Sequence, residues 1–567
     1  MTTQLRKVIL LLAVIFAARF ASAQTHNDGF TAMQLEQWDK AIDTYSAIVK
    51  ANPTDQTALL TLGNAYLAKG DKDKAKQNFE AAFAAKPEGP MAFIANGRIM
   101  LLQGNTAEAE KQFAKAAKNG KKDVAALRQI GESYLYTVPG VKPNFAKAEE
   151  GLKAALDAGN KDVTTIMTLG YCYKEIPNGG LAAQQYELAE TLEPKNPLIK
   201  FMLAKVYKAA KLTDRFLLYT DKTIEVAPNY TLALRAKAEH LYYGRKWEQA
   251  TQAYKDLVSK GAEVTVEDEM QLANTLFITK DYKGCSEVVE RIIKKDGSKN
   301  YLRRLLAYCS YEMGDYARGM EVITDYFKKV TPDKELASDY LYLGRLQVKT
   351  KGDTLAAIGN LKKGIVKDSS QWAVYKEIGE LYYTKKKNLE AAQAYTMYLD
   401  SVAKPDPTDL YKLGLAQFYS KDDSLRFVKA EKTFAKITEL VPKAGLGWIW
   451  AGKAAARQDP DITAHPELVN EFGKAKTYFE KYVEIGAADP VKNKKDLVVA
   501  YEYLTYYHYN KANVEQVKAH ATKLLELDSA NPTGMELMKA AESGSIVPAS
   551  PVPQATPVAT PTGGGKG

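Results

Sequence analysis

Apolar residues recur along most of the chain with the period of an α-helix, in pairs of segments separated by a turn. The pattern is clear in residues 56–87, where Leu59 and Leu62 are three positions apart and share one helix face. Ala75 and Phe79, four positions apart, mark a second such face. The pattern predicts two amphipathic helices in succession.

The residues between and after these segments predict that the two helices form a hairpin. Gly70 is a typical helix stop, Asp71 a typical N-cap for the next helix, and Pro87 ends the unit. Gly63 on the first helix and Ala75 on the second are small, which allows the helix axes to cross closely.

The same hairpin returns at intervals that are mostly 34 or 35 residues. The small residue of the first helix is found at Gly29, Gly63, Gly97, Gly131, Gly170, Ala204, Ala238, Ala273, Ala307, Gly344, Gly379, Gly414 and Gly452. Because a single hairpin cannot bury its apolar face, neighbouring hairpins must stack. The repetition predicts an all-α chain of about fourteen hairpins.

This pattern resembles the tetratricopeptide repeat (TPR) family over roughly residues 25–531, through the small residues at the crossing and aromatic residues such as Tyr66 and Phe79. The resemblance implies an all-α, right-handed superhelical solenoid whose first helices line a concave, protein-binding groove. The residues to which we assign a structural role at the helix crossing are Gly63, Ala75, Gly170, Ala182, Gly379 and Ala391.

The groove positions of the family, carried over to this chain, are rich in arginine, lysine and tyrosine. They are Arg98, Arg128, Tyr171, Lys205, Lys208, Arg235, Tyr242, Arg304, Tyr308, Tyr311, Arg345, Lys376, Tyr383 and Tyr411. Such a groove suits an extended peptide, since arginine bonds carboxylates and tyrosine offers rigid contact area. The alternative is that these are ordinary solvated helix positions.

The first 23 residues have the layout of a signal peptide. Arg6 and Lys7 precede an apolar run over residues 8–18, and Ala21-Ser22-Ala23 forms a cleavage site. We therefore expect export, to the periplasm or, alternatively, to the outer membrane or the medium. The Ala-Gln junction resembles those common in the Bacteroidetes lineage, which associates the chain with the bacterial envelope.

The remaining divisions follow from breaks in the repeat. The expected segments are an N-terminal array over residues 24–264, a C-terminal array over 265–531 with a long insertion at 457–476, a capping helix at 532–544 and a disordered Pro/Ala/Thr/Gly tail at 545–567. The insertion is either a tolerated surface loop or a binding element. Trp448 and Trp450 are interpreted first as core aromatics and second as ligand contacts.

Composition and charge exclude several classes of protein. The formal net charge of +10 falls to about +7 without residues 1–23, a small excess that does not indicate nucleic-acid binding. Three cysteines do not make a disulfide scaffold, although Cys285 and Cys309 lie in adjacent hairpins and are either paired or buried thiols.

Motifs for catalysis or for binding a metal or cofactor are absent from the sequence. The five histidines lack HExxH spacing, and there is no phosphate-binding glycine loop or nucleophile elbow. We therefore expect no enzyme activity and no cofactor. The interpretation is a protein-interaction scaffold of the cell envelope that binds a peptide or protein; the alternative is a polysaccharide- or peptidoglycan-binding protein that uses groove tyrosines.

Overall fold

The computed structural model describes residues 26–136, 142–159, 161–176 and 179–546. Regular structure in these ranges is helical, and none of these residues forms a β-strand. The predicted signal peptide lies outside the described residues, as does the predicted tail beyond residue 546. Contacts divide the chain into an N-terminal unit that ends at Asp296 and a C-terminal unit that begins at Gly297.

The N-terminal unit begins with a helical segment over residues 26–34. The α-helices that follow it are α1 (Trp38–Ala51), α2 (Gln56–Ala68), α3 (Lys72–Ala85), α4 (Pro90–Leu102), α5 (Thr106–Asn119), α6 (Val124–Glu132), α7 (Phe145–Ala158), α8 (Val163–Glu175), α9 (Gly179–Leu192), α10 (Pro197–Ala209), α11 (Thr213–Val226), α12 (Thr231–Tyr243), α13 (Trp247–Lys260), α14 (Val266–Ile278) and α15 (Tyr282–Lys295).

The C-terminal unit continues the same alternation. Its α-helices are α16 (Arg303–Glu312), α17 (Tyr316–Lys329), α18 (Ala337–Lys349), α19 (Thr354–Lys367), α20 (Val374–Thr384), α21 (Asn388–Asp400), α22 (Pro407–Phe418), α23 (Arg426–Leu440), α24 (Gly445–Ala456), α25 (Lys476–Gly486), α26 (Lys494–Asn510), α27 (Val514–Leu527) and α28 (Pro532–Glu542). Short 3-10 helices lie at Gly297–Leu302, Pro332–Lys334, Ser369–Gln371 and Pro466–Asn470.

Local capping explains why α2 and α3 begin where they do. The Asp55 carboxylate accepts a hydrogen bond from the Ala58 N–H at 2.9 Å, and the Asp71 carboxylate accepts one from the Lys74 N–H at 3.0 Å. Between the two helices Gly70 has φ +83°, a conformation that glycine adopts without steric cost. The hairpin boundaries are therefore encoded within the hairpin itself.

The glycines of the first helices make room for aromatic rings of the second helices. A Cβ atom at Gly63 would lie 2.2 Å from Cε1 of Phe79, and one at Gly414 would lie 2.4 Å from Cε1 of Phe434. Even a methyl group would collide at these distances. The close crossing predicted from Gly63 and Ala75 thus depends on the Phe79 ring, whereas Ala75 is simply fully buried.

Stacking of successive hairpins forms the core. Within each unit, second helices pack against the next first helix, as α3 does against α4, and first helices also contact each other, as in α2–α4, α4–α6, α16–α18 and α24–α26. The side formed by the first helices is called the inner face below. Over the described residues the predicted all-α array of helix-turn-helix units is confirmed. The last helix, α28, packs against both α26 and α27.

The long insertion after α24 folds onto α26. Phe472 is 9% exposed, and its ring centroid lies 5.7 Å from that of Tyr503 in a stacked arrangement. The Asp459 carboxylate accepts hydrogen bonds from the Gly473 N–H at 3.0 Å and from the Tyr503 hydroxyl. The insertion is thus held to the final hairpin by both apolar and polar contacts.

Candidate functional site

Several positively charged side chains of the predicted groove bond to a carboxylate of the following hairpin. Arg235 of α12 donates from Nε and Nη2 to the two carboxylate oxygens of Asp268, at 2.8 and 2.7 Å. Arg345 of α18 contacts Glu377 in the same way, at 3.0 and 2.7 Å. A guanidinium group paired with both oxygens of a carboxylate has its charge neutralised and its orientation fixed by that acid, although N–H donors remain on it.

The same pairing recurs at Lys376 and Arg128. Lys376 Nζ lies 2.7 Å from Asp409 Oδ1, and Arg128 Nη1 lies 2.9 Å from Asp162 Oδ2. In the four pairs the cation and the acid are 32 to 34 residues apart, about one repeat. These inter-repeat ion pairs join the first helix of one hairpin to the start of the next.

Arg304 and Tyr308, two further predicted groove residues, surround a buried carboxylate. Asp339 is 0% exposed and accepts hydrogen bonds from the Tyr326 hydroxyl at 2.7 Å and from the Tyr308 hydroxyl. Arg304 donates to the Lys334 carbonyl oxygen at 2.6 Å. Burial, together with the Asp339 charge, raises the pKa of Tyr308 far above its usual value. Tyr308 is therefore part of the protein interior.

Arg98 lies in a buried network instead of an open groove. It is 2% exposed, and its guanidinium donates to the Leu60 carbonyl oxygen at 3.0 Å, the Gln129 carbonyl oxygen at 2.7 Å and the Ser133 hydroxyl at 2.9 Å. Burial lowers the pKa of Arg98 to about 10. The side chain ties together the first helices α2, α4 and α6, and a ligand could reach it only by opening this network.

The first hairpin covers part of the inner face of the N-terminal unit. Lys174 of α8 bonds to Glu36 in the turn of the first hairpin. Lys40 Nζ lies 2.9 Å from Glu263 Oε1 in the loop before α14. Tyr171, a predicted groove residue, is 6% exposed, with Lys174 Nζ 4.5 Å from its ring centroid. Tyr171 is thus not available as a platform for a ligand.

The other predicted groove residues of this unit remain more accessible. Lys208 is exposed, and Lys205 and Tyr242 are half-buried. Burial lowers the pKa of Lys205, and the nearby Lys174 ammonium acts in the same direction. The Tyr242 ring centroid lies 5.5 Å from that of Trp247 in an edge-on arrangement.

Trp450 is in ring contact with two tyrosines of the C-terminal unit, and a third tyrosine is an electrostatic neighbour of both. We call these four side chains the aromatic patch. They are Tyr383 of α20, Tyr411 of α22, Tyr419 just beyond α22 and Trp450 of α24. The Trp450 ring centroid lies 6.0 Å from that of Tyr411 and 6.4 Å from that of Tyr419. Tyr419 is 40% exposed, and the other three are half-buried.

The tyrosines of the aromatic patch are neutral hydrogen-bond donors. A phenol is protonated at neutral pH even at its ordinary pKa of about 10, and burial raises the pKa of Tyr383, Tyr411 and Tyr419 further. Three of the lysines near the patch are joined in ion pairs, namely Lys376–Asp409, Lys412–Glu380 and Lys453–Asp496.

The sequence predicts part of this patch. Tyr383 and Tyr411 are among the predicted groove residues, and Tyr311 lies on the inner face further towards the N-terminus of the same unit, 5.4 Å from Tyr342 between ring centroids. Tyr419 and Trp450 are not among them. Trp450 packs on one side against Phe418, at 5.6 Å between centroids, so it is both a core residue and a border of the patch. The groove register of the repeats omits Trp450, which the sequence suggests separately as a core aromatic first and a ligand contact second.

The described residues also bear on metal binding, thiol reactivity and membrane crossing. No group of three or more His, Cys, Asp or Glu side chains in that part of the chain is arranged to hold a metal ion. Cys172, Cys285 and Cys309 are each 0% exposed, and burial raises the pKa of Cys172 to about 12. Among the helices described, none is both long and apolar enough to cross a membrane.

Comparison with known proteins points to one family. Two family models, both of the tetratricopeptide repeat, match residues 32–77 and 60–124. The C-terminal part of a TPR repeat-containing protein from Cytophaga hutchinsonii is 30% identical, over 47% of this chain and 98% of that one, with a TM-score of 0.34. None of the curated proteins compared matches the chain.

Two other solved structures are similar at lower identity. Naa15/Naa10 bound to HypK-THB is 12% identical over 92% of this chain and 96% of that one, with a TM-score of 0.29. YrrB, described as a TPR protein with an unusual peptide-binding site, is 18% identical over 34% of this chain and 97% of that one, with a TM-score of 0.22.

Proposed function

Since the chain belongs to the tetratricopeptide repeat family, we propose that it is a non-catalytic protein-interaction scaffold that binds an extended peptide across the aromatic patch. The observation that carries the proposal is the ring contact of Trp450 with both Tyr411 and the 40% exposed Tyr419. Partly exposed aromatic rings supply large contact area at small entropic cost and dominate the affinity of many interfaces.

The cations predicted to bind peptide carboxylates have a different part in this proposal. Arg235, Arg345 and Lys376 neutralise carboxylates of the next hairpin. These cations stabilise the packing of one hairpin against the next, whereas the rings of the aromatic patch bind the ligand. Binding should accordingly depend weakly on ionic strength, since screening acts on exposed unpaired charges.

The test is capture of a partner from envelope extract by the full chain and by two tyrosine variants. Tyr411→Ala removes a ring of the patch, and we expect captured partner to fall by at least tenfold. Tyr243→Ala is the matched control, because Tyr243 is 80% exposed on the other unit; it should leave capture unchanged. Capture should persist in about 0.5 M salt. Equal capture by both variants would contradict the proposal.

Binding of a polysaccharide or peptidoglycan is the second candidate, because tyrosine and tryptophan rings also stack on sugar rings. Co-sedimentation with purified peptidoglycan distinguishes glycan binding from peptide binding. If Tyr411→Ala abolishes co-sedimentation while peptide capture is unaffected, the glycan candidate replaces the scaffold.

We also propose that the scaffold works in the bacterial cell envelope, most simply in the periplasm. The support is the signal-peptide layout of residues 1–23. N-terminal sequencing of the protein from a periplasmic fraction should begin at Gln24. Recovery from the cytoplasm with Met1 intact would exclude this location.

A further inference from the structure

The first hairpin of the N-terminal unit places an acid against a lysine that lies far along the chain. Glu36, in the turn before α1, bonds to Lys174 of α8, 138 residues away. Lys174 Nζ also lies 2.8 Å from Oε1 of its neighbour Glu175. Lys40 of α1 adds a second link, with its Nζ 2.9 Å from Glu263 Oε1. The first hairpin thus closes over part of the inner face of this unit.

The turn that carries Glu36 differs from the equivalent turns that follow it. Glu36 has φ +59°, and the next two hairpins have Gly70 and Gly104 at the same point, with φ +83° and +81°. Glycine adopts this left-handed conformation without steric cost, whereas a residue with a Cβ atom does not. Among the described non-glycine residues with positive φ, Glu36 is the one acid. The first hairpin therefore carries a carboxylate where the next two carry no side chain.

The place that receives Glu36 has a positive charge without a partner of its own. Lys205 of α10 is half-buried and makes no ion pair with any residue that the structure describes. Its electrostatic neighbours are Lys174, Glu36 and Glu175. Burial lowers the pKa of Lys205, and the Lys174 charge acts in the same direction, so a nearby carboxylate stabilises the ammonium form. Without Glu36, two ammonium groups would share the single carboxylate of Glu175.

A buried hydroxyl at the same place also lacks a partner. Tyr186 of α9 is 0% exposed, and its hydroxyl has no hydrogen-bond partner among the described residues. Its electrostatic neighbours are Tyr171, Glu175 and Glu36. A phenol hydroxyl can donate to a carboxylate oxygen, and an ammonium group can pair with the same carboxylate. The cluster therefore offers a carboxylate both a charge and a hydrogen-bond donor.

We propose that Lys174, Lys205 and Tyr186 form a carboxylate-binding site for an acidic peptide, and that Glu36 occupies this site in the closed unit. The first hairpin then acts as an internal competitor, which an acidic segment of a partner displaces. The site is separate from the aromatic patch, so it goes beyond the proposed function and does not rest on it.

The contacts that close the unit are of a kind that a charged ligand can replace. The side chains of Lys40 and Glu263 are 51% and 64% exposed, and ion pairs with such exposure contribute little to stability. Exchange of Glu36 for a ligand carboxylate leaves the number of ion pairs unchanged. The rings of Trp38 and Tyr136, 6.0 Å apart between centroids, hold the first hairpin in place while no ligand is bound.

The experiment measures binding of a fluorescent hexaglutamate peptide to the full chain by anisotropy. Glu36→Gln removes the competing carboxylate and should bind the peptide at least about tenfold more tightly than the parent, because an internal competitor has a high effective concentration. Glu88→Gln, at an exposed position, is the matched control for the loss of one negative charge and should bind as the parent does. A hexaglutamine peptide should bind none of these chains.

Lysine variants of the Glu36→Gln chain locate the contact. Adding Lys205→Gln should remove the gain in affinity, whereas adding Lys195→Gln, at an exposed position of the same unit, should keep it. Lys205→Arg retains the charge and should also keep most of the gain, which separates loss of the site from loss of folding. Equal affinity of the parent and Glu36→Gln chains, or a gain that survives Lys205→Gln, would overturn the proposal.

A distance measurement tests displacement of the first hairpin directly. Spin labels attached at Asp43→Cys and Ala262→Cys, two exposed positions near the Lys40–Glu263 link, report on closure. The three native cysteines are 0% exposed and should not be labelled. The distance should lengthen when hexaglutamate binds, and an unchanged distance at saturation would contradict displacement. If hexaglutamate fails to bind while partner capture still depends on Tyr411, this proposal fails and the scaffold function stands.

Discussion

Gly63, Gly97 and Gly414 each leave room for an aromatic ring of the partner helix in their own hairpin. The ring is itself enclosed, since Phe79 and Phe434 are 0% exposed. Added volume at the glycine therefore cannot be relieved by a rotamer change and must move a helix. The loss of folding stability when a glycine is replaced therefore depends on how rigidly the atoms that the new side chain would contact are held.

Gly63→Ala tests this at the smallest possible change in volume. Its Cβ would lie 2.2 Å from Cε1 of Phe79, and we expect the free energy of unfolding to fall by about 1–3 kcal/mol. Gly359→Ala is the control, since nothing lies within 4 Å of a Cβ at that helical glycine; it should gain about 0.5–1 kcal/mol from helix propensity. Urea unfolding monitored by circular dichroism measures the free energy of unfolding of both variants. Equal effects of the two substitutions would contradict the close crossing of α2 and α3 at Gly63.

Arg98 provides the second test at the residue scale. Arg98→Met removes donors from Leu60, Gln129 and Ser133, and we expect the free energy of unfolding to fall by about 3 kcal/mol because buried acceptors lose their partners. Arg457→Met, at an exposed position, should have little effect. Peptide capture by a folded Arg98→Met chain should be unchanged. If the Arg98→Met chain kept its full stability but no longer captured the peptide, Arg98 would have to be a ligand-binding residue.

At the scale of elements, α26 and α27 contain a pair of histidines that respond to pH. His508 is 8% exposed, and its ring lies stacked 5.3 Å from that of His520. Burial, followed by the His520 and Lys476 charges, lowers the pKa of His508 to about 4, against an opposing effect of Glu480. Burial also lowers the pKa of His520. The folded hairpin thus favours the neutral imidazoles.

The stability of this hairpin should therefore fall in mild acid. Between the ordinary histidine pKa of about 6.5 and about 4, the unfolded chain binds protons that the folded chain does not, so stability is complete above about pH 6.5 and is lost as the pH decreases. Hydrogen exchange of α26 and α27, corrected for intrinsic rates, should be faster at pH 5 than at pH 7. His508→Phe should reduce this dependence and leave the part that comes from the buried His520, whereas His465→Phe, at an exposed position, should retain all of it.

Within each unit the array is stabilised between neighbours, because hairpins cover one another's apolar faces. Inter-repeat ion pairs such as Arg235–Asp268, with Asp268 4% exposed, add polar contacts to the same interfaces. The effects of a local defect should therefore decline with distance along the chain instead of spreading evenly.

Gly170→Leu tests this at the scale of the molecule. A Cβ at Gly170 would lie 2.9 Å from the Tyr186 ring, so leucine should force α8 and α9 apart and cost several times the roughly 1 kcal/mol of a mild overpacking change. Hydrogen exchange should accelerate in α8 and α9 and, to a smaller degree, in α7 and α10, with α20–α23 unaffected. A uniform acceleration along the chain would show that the array unfolds as one cooperative body.

The helices could be predicted because their signals are local. Asp55 and Asp71 cap the helices that follow them within three residues, and apolar spacing marks the buried faces. The groove could be predicted only in part. Tyr383 and Tyr411 follow from the repeat register, but the burial of Arg98 depends on carbonyl and hydroxyl groups 31 to 38 residues away.

The sequence by itself determined the hairpins and the all-α class, since periodicity, caps and small residues act within one repeat. Tertiary structure alone decided which groove residues remain accessible. Arg345 bonds to an acid 32 residues away, and Lys174 and Lys40 bond to residues 138 and 223 positions away. Contacts over such separations depend on how helices cross and how repeats curve, and a side chain is available to a ligand only where that geometry leaves it exposed.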